Sequence, residues 1–157
     1  MTSSAGASRD EAWMEQALEL AREAAEAREV PVGALVVHGD RVVGRGRNRM
    51  RELAEPRAHA EMEAISGARA EVGTGRLDGG TLYVTLEPCP QCAGAILLAR
   101  ISRVVFGAWD PRLGACGSRF DVLGAGLLGD VRVRPEVLQD RCSSLLTAWF
   151  AEERGRE

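Results

Sequence analysis

Two short stretches of this chain hold side chains able to bind a metal and move protons: His59-Ala60-Glu61, and Pro88-Cys89-Pro90-Gln91-Cys92. One imidazole and two thiols make three zinc ligands, one short of a closed structural site. The open fourth position is where a water can be bound, acidified and used as a nucleophile. Glu61 stands two residues from His59, so its carboxylate is expected to reach that water rather than duplicate the histidine as a ligand. From there it can take the water's proton and return it to a substrate. A neutral imidazole with two thiolates leaves zinc formally uncharged; a third thiolate would make it less electrophilic.

Blander readings exist for each of these residues. C-x-x-C also fits a redox pair or half of a structural zinc site, and Glu61 alone resembles an ordinary solvated helix glutamate such as Glu63. A structural site needs a fourth ligand, and candidates are scarce. His38, in His38-Gly39-Asp40-Arg41, belongs to a hairpin turn and reads as a surface residue. Cys116 falls in the glycine-rich Gly114-Ala115-Cys116-Gly117-Ser118, and Cys142 on a helical pattern that packs it in the core. Neither has a second partner at ligand spacing. The open, catalytic arrangement is therefore preferred.

Local signals say how these residues are carried. Pro88 and Pro90 bracket Cys89, and proline suits a first helical turn, so a helix is expected to begin near Cys89 and run through Ala99. Spacing of three puts both thiols on one face, and the partly positive helix start favours thiolate. His59 likewise opens a helix. Upstream, Ser8-Arg9-Asp10-Glu11 has capping-box spacing, predicting a helix to about Arg28 with Trp13, Ala17, Leu20, Ala21 and Ala24 on its apolar face. Strands are predicted over 31–37 and 41–44, joined by a turn at Gly39-Asp40, then over 81–86, 103–107 and 131–133. A polar loop spans 48–58, and residues 110–130 form a long glycine-rich loop with one helical turn near Phe120 to Leu123. A last helix is predicted from Pro135 to about Glu153. This order implies an α/β fold: a mixed five-stranded sheet with helices on both faces, in three α/β/α layers. Both metal motifs fall at helix starts, and the cysteines directly follow a strand, where α/β sheets usually build their sites.

A chain of 157 residues, 45% hydrophobic, fits one core. We divide it into an N-terminal tail (1–9), a single domain (10–153) and a short C-terminal tail (154–157). No apolar run is long enough to cross a membrane, and the first residues lack a signal pattern, which with metal-committed cysteines points to the cytoplasm. A net charge of −3 argues against a broad nucleic-acid binder resting on many phosphate contacts. A local basic patch remains open: Arg41, Arg45, Arg47, Arg49, Arg51 and Arg57 crowd the approach to His59. They fit a solvated loop and an RNA-facing rim equally well.

With these residues in view, the chain resembles the bacterial tRNA-specific adenosine deaminases of the cytidine deaminase-like superfamily, from about Trp13 to Phe150. The H-x-E and P-C-x-x-C pattern marks zinc base deaminases in general. The flanking Arg28-Glu29-Val30-Pro31-Val32-Gly33-Ala34, Thr81 to Glu87, Cys92-Ala93-Gly94-Ala95, Arg103 to Ala108 and Asp121-Val122-Leu123 point to the tRNA branch. The resemblance implies a cytidine deaminase-like fold, one Zn2+ per chain on His59, Cys89 and Cys92, and Glu61 as the catalytic proton shuttle. It implies hydrolysis of a wobble adenosine in a tRNA anticodon stem-loop to inosine, by a homodimer. Asn48 is expected to contact the target base and Asp110 a neighbouring nucleotide, with Val30, Ala60 and Leu86 completing the substrate site. The chain departs from the pattern at Gln91, usually methionine, at Trp109, often arginine or another polar residue, and at Arg57, typically threonine. Leu127-Leu128-Gly129-Asp130 replaces an asparagine-histidine segment, and the tail is acidic. The alternatives are deamination of a free base or nucleoside by the same chemistry, and a non-catalytic zinc-stabilised domain, against which Glu61 speaks.

Overall fold

The computed structural model describes residues 4–156. Helix α1 (Ser4–Glu26) leads into strands β1 (Gly33–His38) and β2 (Arg41–Arg47), and helix α2 (Ala60–Val72) precedes β3 (Thr81–Leu86). Helix α3 (Pro90–Leu98), β4 (Arg103–Ala108), a 3-10 turn (Leu123–Ala125), β5 (Arg132–Arg134) and helix α4 (Gln139–Gly155) follow. The sheet order is β2-β1-β3-β4-β5. β1 is antiparallel to both β2 and β3, whereas β3, β4 and β5 run parallel. This is the expected mixed five-stranded sheet.

Strand alternation splits the core in two, because successive side chains leave opposite faces of a sheet. Ala34, Val36, Leu82, Val84, Val104 and Phe106 pack with α2 and α3. Leu35, Val37, Tyr83 and Val105 pack with Met14, Ala17 and Leu18 of α1 and Cys142 of α4. Three α/β/α layers result. Cys142 is thus a core residue, as its helical pattern suggested.

Helix α2 lies unusually near the sheet. A Cβ at Gly44 would fall 2.1 Å from the Ala64 carbonyl oxygen, and one at Gly46 2.2 Å from that of Ala60. Glycines on β2 facing alanines on α2 therefore bring backbone against backbone, and this fixes the height of the helix that starts at His59. At the far edge Asp10 does comparable work for α1. It accepts hydrogen bonds from Tyr83 Oη (2.7 Å), Arg103 (2.9 and 2.6 Å) and Arg134 (2.5 Å). Burial opposes its ionisation, yet these bonds hold the carboxyl down at about 2.

Several boundaries differ from expectation. α1 already includes residues 4–9, given above to the tail, so Ser8 is no cap and Asp10 lies within the helix; residues 1–3 of that tail lie outside the described residues. β2 extends three residues past Gly44, because pairing with β1 continues to Arg47↔Gly33. β5 is shifted by one residue, to Arg132–Arg134. α4 starts at Gln139 instead of Pro135, since Glu136 and Leu138 have positive φ (67° and 53°). That path lets the Val137 N–H donate to the Phe106 carbonyl (3.1 Å) while its side chain enters the second core. The helix then continues to Gly155, beyond the expected Glu153.

Candidate active site

Both ligand motifs sit where a helix begins. His59 is the N-cap of α2 and Cys89 the N-cap of α3, with extended backbone at each, and Pro90 occupies the first turn as the fixed φ of proline favours. Neither cap uses its side chain to close the helix end, so both remain available as ligands. Cys92 follows within the first turn of α3, fully buried. His59 Nδ1 lies 3.5 Å from the Sγ of Cys89 and 3.5 Å from that of Cys92, and the three ligand atoms fall within 4.8 Å of one another. Tetrahedral zinc, at about 2.0–2.1 Å from nitrogen and about 2.3 Å from sulfur, requires an N···S separation of about 3.5 Å. The group fits. His38 and the cysteines at 116 and 142 are not part of it.

The electrostatics suit a metal that needs thiolates. A hydrogen bond with Cys92, helped by His59, holds the Cys89 thiol down at about 4. The same bond and burial push Cys92 up, so the pair keeps one proton until a cation displaces it. The bond to Cys89 also raises His59.

The ligands lie beside a cavity of about 340 Å³, within the usual range for small-molecule sites. His59, Glu61 and Cys89 line it, with Val30, Val32 and Leu86 as apolar wall and Met50, Leu113, Leu146 and Phe150 further round. Glu61 is only 4% exposed, and burial pushes its carboxyl up to about 7. Asn48 is buried at the cavity and tied at both ends of its amide. Its Nδ2 donates to the Val30 carbonyl (3.1 Å), and its Oδ1 accepts from the Ala60 N–H (3.1 Å). One N–H and one lone pair of that amide remain. Ala60 itself does not line the cavity: its methyl is fully buried in the first core, and only its backbone meets Asn48. Asp110 lines the cavity while its Oδ1 accepts from the backbone N–H groups of Arg112 (3.0 Å) and Leu113 (3.3 Å).

Two buried carboxylates that sequence reasoning did not single out hold the cavity's two side loops. Glu29 accepts from the N–H groups of Arg51 (3.0 Å) and Glu52 (2.7 Å), anchoring the 48–58 loop. Glu87 does the same for residues 110–118. Each glutamate lies within a quoted motif, but nothing local says which distant loop it serves. The arginine cluster is largely ion-paired. Arg47 and Arg49 share Glu52, Arg57 pairs with Glu55, Arg41 with Glu71, and Arg51 with Glu153 while lying over the Trp149 ring. Of the departures, Gln91 donates to the Arg57 carbonyl (3.2 Å), linking the two ligand motifs. Trp109 packs edge-to-face on Phe106 and donates to Glu136.

An α/β/α sandwich with an N,S,S metal group and a buried carboxylate beside it defines a zinc hydrolase site. Residues 7–108 match the zinc-binding region of cytidine and deoxycytidylate deaminases, and the chain belongs to this family. It is 42% identical to the tRNA-specific adenosine deaminase of Bacillus subtilis (strain 168), over 94% of this chain and 92% of that protein. A solved structure of a tRNA:A34 deaminase, studied for A-to-I editing at the wobble position of transfer RNA, superposes with a TM-score of 0.81. The two are 42% identical, covering 85% of this chain and 97% of that one. The guanine deaminase of Nitrosomonas europaea shares the fold at a TM-score of 0.79 and 27% identity, over 90% of this chain and 84% of that one. Zinc is accordingly the cofactor of this site.

Proposed function

We propose that the protein hydrolyses the wobble adenosine of a tRNA anticodon to inosine, releasing ammonia, in the cytoplasm. The observation that carries this reading is the buried Glu61 beside the His59-Cys89-Cys92 group, at the floor of a cavity walled by apolar side chains. Likeness to tRNA-acting relatives along nearly the whole chain supports the choice of substrate. When bound, zinc supplies Lewis acidity, lowering the pKa of a water from 15.7 to about 7. Glu61 takes the proton of the attacking water and gives it to the ring nitrogen N1. It then takes the remaining proton from the oxygen now bonded to C6 and delivers it to the amino group as the C6–N bond breaks, so that the carbonyl of inosine forms and ammonia leaves. Val30, Val32 and Leu86 hold the base between apolar surfaces, and the unused N–H and lone pair of Asn48 fix its orientation.

An anticodon nucleotide is already partly unstacked, so drawing it into such a cavity costs less than the few kcal/mol paid in a duplex. Arg112 lines the cavity and makes no side-chain hydrogen bond or ion pair among the described residues, so it is free to meet a phosphate. The ion-paired arginines around the 48–58 loop favour the second reading, a deaminase of free bases. Zinc-loaded protein incubated with an anticodon stem-loop, and separately with adenosine, guanine and cytosine, distinguishes them. The stem-loop is expected to react with a kcat/KM at least about 100-fold above any free compound. Faster turnover of a free base would replace the tRNA reading with the second.

We also propose a homodimer. Leu98, 73% exposed at the end of α3, and Leu127 and Leu128 are exposed apolar residues, and Arg100, two residues beyond Leu98, donates to the Leu128 carbonyl (3.2 Å). No helix among the described residues is long and apolar enough to cross a membrane, so this apolar surface is assigned to a second copy of the chain. Sedimentation equilibrium should return twice 16.9 kDa; a mass of one chain would contradict the dimer.

A further inference from the structure

Among the described residues, Glu87 is a carboxylate with no ion-pair partner. It is 2% exposed, and all four of its hydrogen-bond donors come from one loop. Oε1 accepts from the Asp110 N–H (2.9 Å) and the Ser118 hydroxyl. Oε2 accepts from the N–H groups of Cys116 (3.0 Å) and Ser118 (3.0 Å). Residues 110–118 are thus wrapped around a single side chain, as an anion-binding loop wraps its ligand. Gly114 allows the approach: a Cβ there would lie 2.2 Å from Glu87 Oε1. The backbone on either side of Glu87 completes the attachment, its N–H donating to the Ala108 carbonyl and the Pro88 carbonyl accepting from Ala115, both at 2.8 Å.

The wrapped segment carries Asp110, Arg112 and Leu113, which line the cavity, and Glu87 is adjacent in sequence to the stretch bearing Cys89. We infer that Glu87 is a positioning residue: it sets the wall formed by residues 110–113 at a fixed place relative to the reactive floor, and so governs substrate binding rather than proton transfer. The inference rests on the proposed deaminase function in taking that wall to contact substrate. A carboxylate is needed because every partner is a donor. The amide of glutamine has one oxygen, and its –NH2 would confront N–H groups.

Glu87→Gln is therefore expected to keep its zinc and leave kcat within about threefold of wild type, while raising KM for the anticodon stem-loop at least about tenfold. Asp110→Ala added to this variant should raise KM by clearly less than it does in the wild-type background, because Asp110 acts through the position Glu87 gives it. Should Glu87→Gln fold poorly, Ser118→Ala removes one donor and leaves the three backbone bonds, and is expected to raise KM about threefold with kcat unchanged. A fall in kcat at constant KM, or no change in either constant, overturns the inference. So does an Asp110→Ala effect of full size in the double variant. Wild type assayed in parallel separates the two proposals: preference for a free base overturns the substrate reading alone, and KM of that base is then the quantity to compare.

Discussion

Glu61→Gln is expected to retain a full complement of zinc and to lose at least about 10³-fold in kcat. Glutamine keeps the shape and hydrogen-bonding reach of the side chain but cannot accept and release a proton. General acid–base groups contribute about 10²–10⁴-fold, and the proposed mechanism uses Glu61 twice, so the loss belongs in the upper part of that range. The residue sits in the first turn of α2, next to a ligand and inside the cavity, with 4% of its surface exposed. No other carboxylate of the cavity is placed to substitute: Glu87 is occupied by four donors, and Asp110 closes its own turn. Steady-state kinetics with metal analysis on the same sample checks this. Activity within tenfold of wild type would remove Glu61 from the proposed mechanism.

Cys89→Ala should abolish activity and leave less than about one tenth of the zinc, since two of three protein ligands remain and binding energy is shared among them. Cys89 is the informative ligand to change. Cys92 is fully buried in α3, so its loss would also leave a hole in the packing, whereas Cys89 is half-buried at the cavity. The affinity should also be pH-dependent. Zinc competes with protons at His59, whose protonated form is favoured by the bond to Cys89, and with the proton that the cysteines share. Acidification therefore releases metal. Metal analysis after dialysis checks the variant; full zinc retention in Cys89→Ala would overturn the ligand assignment.

The metal group was legible in the sequence because its logic is local. Cys89 and Cys92 share a helix start, prolines mark where that helix begins, and Glu61 follows His59 at the start of the preceding helix, α2. The strands were legible for a similar reason: β3 falls on the predicted 81–86, and the turn at Gly39-Asp40 takes positive φ at both residues. What stayed hidden depends on partners far along the chain. Asp10 looked like part of a capping box, yet it serves Tyr83, Arg103 and Arg134. Nothing near Glu87 announces residues 110–118. The arginines before His59 fitted a solvated loop and an RNA-facing rim equally well, and residues as distant as Glu71 and Glu153 pair with some of them. The start of α4 was missed because Pro135 permits a helix, while the burial of Val137 demands a different path.

The close seating of α2 on β2 has a bearing on how this site can diversify. His59 and Glu61 ride on a helix whose height is set by main chain meeting main chain at Gly44 and Gly46, a contact with no rotamers to adjust. The side loops, by contrast, each hang from one buried carboxylate, Glu29 or Glu87, that grips backbone N–H groups and is indifferent to most of the side chains between them. Changes at positions such as Arg57, Arg112 or Leu113 can accumulate without disturbing the metal floor. Reactivity and selectivity are thus inherited through separate parts of the chain, and a lineage can trade one nucleobase-bearing substrate for another while its chemistry stands still.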